Sequence, residues 1–221
     1  MTHGSVRLMQ TETSQCGDYG SVTSVEAVGM QRNFEVAKAA VSDASAVVRL
    51  IALADEEAVI VLSGKPSLSE AMAHFEQNFA RSDVYFNFEN VLIARKGSAV
   101  IGCILFFNGT DESRYSSVSG LEESEPRESD EDEVYIDSLA VDPDHRGEGI
   151  AGELVRRVIV EAEARGFTKV GLLADASNPR LGKMYRNLGF AQEKLVHCRG
   201  GEYEKLTHLL KISQADRARG V

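Results

Sequence analysis

Apolar and polar positions change period several times along this chain, and each change marks an element. From Asn33, the run Phe34-Glu35-Val36-Ala37-Lys38-Ala39-Ala40 alternates with the two-residue period of a strand. Ser42 and Asp43 can then cap a helix carrying Val47, Val48, Leu50, Ile51 and Leu53 on its apolar face. Ser67-Leu68-Ser69-Glu70 reads as a capping box opening a second helix, with Leu68, Met72, Phe75 and Phe79 at helical spacing. Two apolar runs joined at Lys96-Gly97 predict an antiparallel hairpin, with the glycine supplying the turn.

A further strand is predicted over Tyr135 to Val141. Leu154, Val155, Val158, Ile159 and Ala162 then share one face of a helix ending at Gly166. Lys169 to Asp175 reads as a strand. Asn178-Pro179 supplies a cap and a first-turn proline for a helix with Leu181, Met184, Tyr185 and Leu188 inside and Gly189 at its close. Two final strands flank Arg199-Gly200-Gly201 as a hairpin. The order strand–helix–helix–strand–strand–strand–helix–strand–helix–strand–strand predicts an α/β (α+β) fold, a mixed sheet with helices on its faces.

Composition narrows this picture. The chain has 221 residues, 43% hydrophobic and 26% charged, which is enough for one well-filled core. One domain is expected over residues 33–212, between a flexible Ser/Thr/Gly/Gln-rich extension (1–32) and a flexible tail (213–221). No stretch approaches the roughly 20 apolar residues of a membrane helix, and the N-terminus lacks a signal-peptide core, so a cytoplasmic protein is expected. The net charge of −10 argues against a broad nucleic-acid surface. Ten acidic side chains against Arg114 and Arg127 fall within residues 111–133, expected to be a solvated insertion or, more sharply, a border that draws a cationic acceptor toward a cleft. Cys16, Cys103 and Cys198 are few and far apart, which excludes a disulfide framework or zinc site; Cys103 in its apolar strand reads as core. The histidines show neither metal spacing nor a paired nucleophile.

The most informative stretch is Val134 to Ala151, in which a strand passes through a polar turn into an Arg/Gly-rich helix start. Arg146, Gly147, Glu148, Gly149, Ile150 and Ala151 place side-chain-free residues where backbone N–H groups and a positive helix end can meet a phosphate. Gly147-x-Gly149-x-x-Gly152 also spells a dinucleotide-binding turn, but Asp142 to His145 separate it from the strand end, which that motif does not allow. The spelling Arg146-x-x-Gly149-x-Ala151 resembles the pyrophosphate loop of the GNAT N-acyltransferase superfamily. The Asn178–Phe190 segment resembles that family as well, and the N-terminal third does so loosely.

The resemblance implies a mostly antiparallel twisted sheet, with acetyl-CoA bound where the motif strand splays from its neighbour and no metal required. Leu139, Ala140 and Val141 would hold the pantetheine arm and offer an oxyanion-stabilising N–H, Arg146 to Ala151 the pyrophosphate, and Asn178 the CoA arm. Tyr185 would protonate the leaving thiolate. Arg180 and Lys183 would approach the phosphates. Asp137, with Glu133 and Tyr135 behind it, would meet the acceptor amine; a carboxylate of pKa about 4 is a poor base, which leaves both binding and water-mediated deprotonation open. The implied activity is direct acetyl transfer to an amine of a small molecule or protein, with a homodimer formed through the last hairpin. An acyl-CoA-binding sensor without turnover would carry the same cradle, and a dinucleotide-binding enzyme is the third alternative.

Overall fold

The computed structural model describes residues 33–119, 127–198 and 201–211. The expected extension (1–32), the tail (213–221), the middle of the acidic insertion and the Arg199-Gly200 turn lie outside the described residues. Within them, β1 (Glu35–Lys38) leads into α1 (Ala44–Ala54), α2 (Glu56–Ser63) and α3 (Leu68–Asn78). The hairpin β2 (Val91–Lys96) and β3 (Ala99–Asn108) turns on Gly97 at φ +61°. Then follow α4 (Glu112–Ser119), β4 (Glu133–Val141), α5 (Ile150–Ala164), β5 (Lys169–Asp175), α6 (Pro179–Asn187), β6 (Ala191–Cys198) and β7 (Gly201–Leu209).

The sequence pattern misses α2. Asp55 breaks the helical run after α1, and its Oδ1 accepts the Ala58 N–H at 2.8 Å, starting a new helix that Gly64 closes at φ +64°. Asp43 does not cap α1 with its side chain. Its carboxylate accepts the Ala40 N–H (2.9 Å) and Arg95 Nη2 (2.6 Å) instead, tying the helix entrance to β2. Leu53, expected inside, is 55% exposed. Half of the expected capping box forms: Ser67 Oγ accepts the Glu70 N–H at 3.3 Å, while the Glu70 carboxylate accepts the Ser67 hydroxyl at 3.0 Å rather than its backbone N–H.

The acidic insertion is not simply a solvated loop, because its two described ends are bound to the fold. The Glu112 carboxylate accepts the Glu128 and Ser129 N–H groups at 2.8 and 3.0 Å. Arg127 donates to the Gly109 carbonyl at 2.7 Å, and Lys169 holds Asp130 at 2.8 Å and Asp132 at 3.1 Å. No helix among the described residues is long and apolar enough to cross a membrane.

The seven strands form one sheet in the order β1-β2-β3-β4-β5-β7-β6, antiparallel throughout except for the parallel pair β4/β5. Each face carries a core. On one, Ile104, Ile136, Leu139 and Val141 pack against Ile150, Leu154 and Val158 of α5 and Leu181 of α6. On the other, Ile93, Cys103, Leu105 and Ala140 pack against Val48, Ile51, Val59 and Phe75 of α1 to α3. Cys103 is fully buried with its thiol pushed up to about 12 by desolvation, an inert core residue.

Candidate active site

Strand β4 carries the site, and two irregularities shape it. Pairing with β5 runs only from Glu133↔Lys169 to Ile136↔Leu172, so Asp137–Val141 and Leu173–Asp175 part company and open a cleft. On the opposite edge, Leu105 faces Ser138 while its neighbour Phe106 faces Ile136. Asp137 is therefore the extra residue of a β-bulge, placed at the first position where β5 no longer pairs. The bulge turns Asp137 and Ser138 to the same side, toward α1 to α3, while Ile136 and Leu139 both stay in the core under α5. Ser138 Oγ donates to Asp137 Oδ2 at 2.7 Å.

At the far end of β4 lies the glycine turn. A short turn, Pro143–His145, is held by Asp142, whose carboxylate accepts the Asp144 N–H at 3.2 Å. Gly147 and Gly149 then take φ +81° and +80°, values that favour glycine, and Gly149 is the N-cap of the 15-residue α5. This geometry converges backbone N–H groups at a positive helix end. A Cβ at either glycine would meet nothing within 4 Å, so the space before the loop is open.

That space is a cavity of about 240 Å³ bordered by Val141, by the loop from His145 through Gly152, and by Arg180, Leu181 and Met184 of α6. Arg146 and Arg180 make its polar wall cationic. Its volume is just below the about 300 Å³ where small-molecule pockets begin, suited to the diphosphate portion of a larger ligand. Asn178 sets the far wall by capping α6: its side-chain oxygen accepts the Leu181 N–H at 3.3 Å.

Of the residues singled out in the sequence, Val141, Arg146, Gly147, Gly149, Ile150 and Ala151 border this cavity. Leu139 and Ala140 lie on β4 between it and Asp137. Glu148 instead engages His145 (2.8 Å) and Lys96 (3.6 Å). Tyr185 borders neither this cavity nor the one beside Asp137; it is fully buried, edge-on to Phe190 with ring centroids 5.6 Å apart. Its hydroxyl has no hydrogen-bond partner among the described residues, and burial pushes its pKa well up.

Two weaker acceptor-side candidates border neither of these two cavities. Glu133 is completely buried against Lys205, and the Tyr135 hydroxyl donates to Glu128 at 2.8 Å. The pattern along the chain gave no sign of Asp55, Leu62, Phe75 and Phe86 as neighbours of Asp137, since they meet only when α1 to α3 pack on β4. The cap at Asp55 was the one local signal available.

A family model described as the acetyltransferase (GNAT) family matches residues 53–190. Among curated proteins the chain is similar to N-acetyltransferase 8B of Homo sapiens, 44% identical over 62 residues, 27% of this chain and 26% of that protein. It is also similar to the ribosomal protein bS18 alanine N-acetyltransferase of Escherichia coli K12, 37% identical over 59 residues, 27% of this chain and 40% of that protein. The matched segment thus spans less than half the length of these relatives. Among solved structures, an acetyltransferase superposes with TM-score 0.67 at 22% identity, over 80% of this chain and 100% of that one. The N-acetyltransferase of Staphylococcus aureus Mu50 gives 0.66 at 21% identity, over 78% and 99%. The yncA protein of Salmonella typhimurium, solved with its cofactor acetyl-CoA, gives 0.54 at 16%, over 82% and 96%. These structural likenesses concern the fold.

Proposed function

Because this chain belongs to the acetyltransferase (GNAT) family, we propose that it transfers an acetyl group from acetyl-CoA directly to a primary amine. The observation that carries this reading is the parting of β4 from β5 after Ile136↔Leu172, with the glycine cradle at one end of the opened segment and Asp137 at the other. The residues present suit the donor: open space before Gly147 and Gly149, cationic walls from Arg146 and Arg180, and a buried Tyr185 hydroxyl lacking a partner.

Acetyl-CoA would supply an activated thioester, so that attack by a neutral amine makes an amide and leaves a thiolate. The loop N–H groups and the α5 dipole would hold the diphosphate, and the unpaired edge of β4 would hold the pantetheine arm. Asp137, fixed by Ser138, orients the amine and takes its proton directly or through water. Tyr185 Oη gives its proton to the leaving sulfur. With its pKa raised by burial, the phenol can do so only against a sulfur that is equally desolvated.

The test is calorimetric titration of acetyl-CoA into the intact protein and a Gly149→Glu variant. The substitution adds bulk and a negative charge at a residue that borders the cavity and strains a backbone at φ +80°. Micromolar binding should fall by at least about 100-fold, equivalent to about 2.7 kcal/mol, with circular dichroism unchanged. Equal binding by both proteins, or by neither, overturns the proposed donor site.

A further inference from the structure

The acceptor side of Asp137 has a chemistry of its own. Immediately over Asp137 and Ser138 is a narrow space of about 20 Å³ whose walls are Val48, Ile51, Ala58 and Val59, with Asp55 the second carboxylate. That is room for about one water molecule. Leu62, Phe75, Tyr85 and Phe86 border it and also border a cavity of about 190 Å³, so the two spaces adjoin across these side chains, and joined they would make one passage with a tight inner neck. The outer cavity ends at His74, Asn78 and Arg81.

Charge along this passage is graded. At the outer end Arg81 is paired with Asp83 through two hydrogen bonds of 2.6 and 2.8 Å. His74 bonds Asn78 at 3.0 Å, and burial together with nearby Lys65 and Arg81 lowers its pKa. The middle is aliphatic and aromatic. The carboxylate at the outer end, Asp83, is already taken up by Arg81, while Asp55 and Asp137 border the inner space. A cationic nitrogen is matched there, whereas a second ammonium further out would be desolvated among apolar walls with no counter-charge.

We infer that the acceptor is a primary amine at the end of an unbranched, otherwise uncharged hydrocarbon chain, entering past His74 and Asn78 and presenting its nitrogen to Asp55 and Asp137. The inference rests on the acetyl-transfer reading above. It sets aside the polycationic acceptor that the acidic insertion suggests. Glu112 and Glu128 border neither space. The narrow neck adds a second demand, because a methylene chain passes where a branch beside the nitrogen does not.

Initial rates at saturating acetyl-CoA for hexylamine, 1,6-diaminohexane and cyclohexylamine test both demands. Hexylamine should exceed each of the others in kcat/KM by at least about tenfold, the scale of discrimination a shaped apolar pocket provides. Leu62→Trp, which narrows the passage, should lower kcat/KM for hexylamine about tenfold or more with acetyl-CoA affinity unchanged. Should that variant not fold, Leu62→Ala should instead raise cyclohexylamine relative to hexylamine. Equal use of the diamine or of cyclohexylamine overturns the inference, as does acetylation of none of the three by protein that binds acetyl-CoA. Absence of acetyl-CoA binding, read separately by calorimetry, would instead strike the donor reading and this inference with it.

Discussion

Tyr185 carries a buried hydroxyl with no partner among the described residues, the group that the proposed proton transfer would use. Leaving such a group unsatisfied costs about 1–3 kcal/mol, so a tyrosine kept only for its ring would be better replaced by phenylalanine. Tyr185→Phe should therefore raise stability by about 1 kcal/mol, about 2–4 °C in Tm for a domain of this size. The same change should lower kcat by about 100-fold if the phenol donates a proton. Calorimetric Tm and steady-state rates together decide: unchanged kcat with a lowered Tm would make Tyr185 a packing residue. Lys205 behaves oppositely. It is 1% exposed, pairs with Glu133 and donates to the Glu128 carbonyl at 2.9 Å, while Gly171 leaves room for the Glu133 carboxylate. Lys205→Met strands a buried carboxylate and should cost about 3–5 kcal/mol by denaturant unfolding, whereas pairing it with Glu133→Gln should recover most of that loss. Tyr185 is legible in the sequence because it sits in a compact motif; the Lys205–Glu133 pair spans 72 residues and has no local signature.

At the scale of elements, contiguity decided what could be read in advance. The glycine cradle, the Asn178 cap and the Gly97 hairpin are each specified within a few residues, and each forms where the pattern puts it. Helix α2 went unseen because Val59, Ile60, Val61 and Leu62 form a continuous apolar run without the spacing of a helix, and only the Asp55 cap breaks it from α1. The bulge in β4 is invisible for a stronger reason: it is a property of the register with β3, not of either strand alone. That bulge yields a separable prediction. Asp137 borders the acceptor passage and not the cradle, so Asp137→Asn should reduce kcat/KM for an amine by about 100-fold with the acetyl-CoA affinity preserved. A parallel loss of acetyl-CoA affinity would show that the substitution collapses the bulge.

Across the whole molecule, on the proposed reading, the sheet is a partition with one reactant on each side. The cradle helix α5 packs on the face carrying Ile136, Leu139 and Val141; the acceptor passage lies on the face covered by α1 to α3. Strand β4 touches both, and the height of α5 above the sheet sets how the cradle meets its end. Gly102 of β3 fixes that height. It lies opposite Val141, and a Cβ there would come within 2.8 Å of Ile150 Cγ2 and 3.3 Å of the Ala140 carbonyl. Ile150 is the first residue of α5 and is 1% exposed, so it has no solvent to yield into. Gly102→Ala should push the helix start outward, costing about 1–3 kcal/mol of stability and weakening acetyl-CoA binding although residue 102 does not border the donor cavity. Calorimetry on the folded variant separates two accounts: a raised Kd means that close sheet–helix packing positions the cradle, and a lowered Tm with an unchanged Kd means that the loop glycines hold its shape alone.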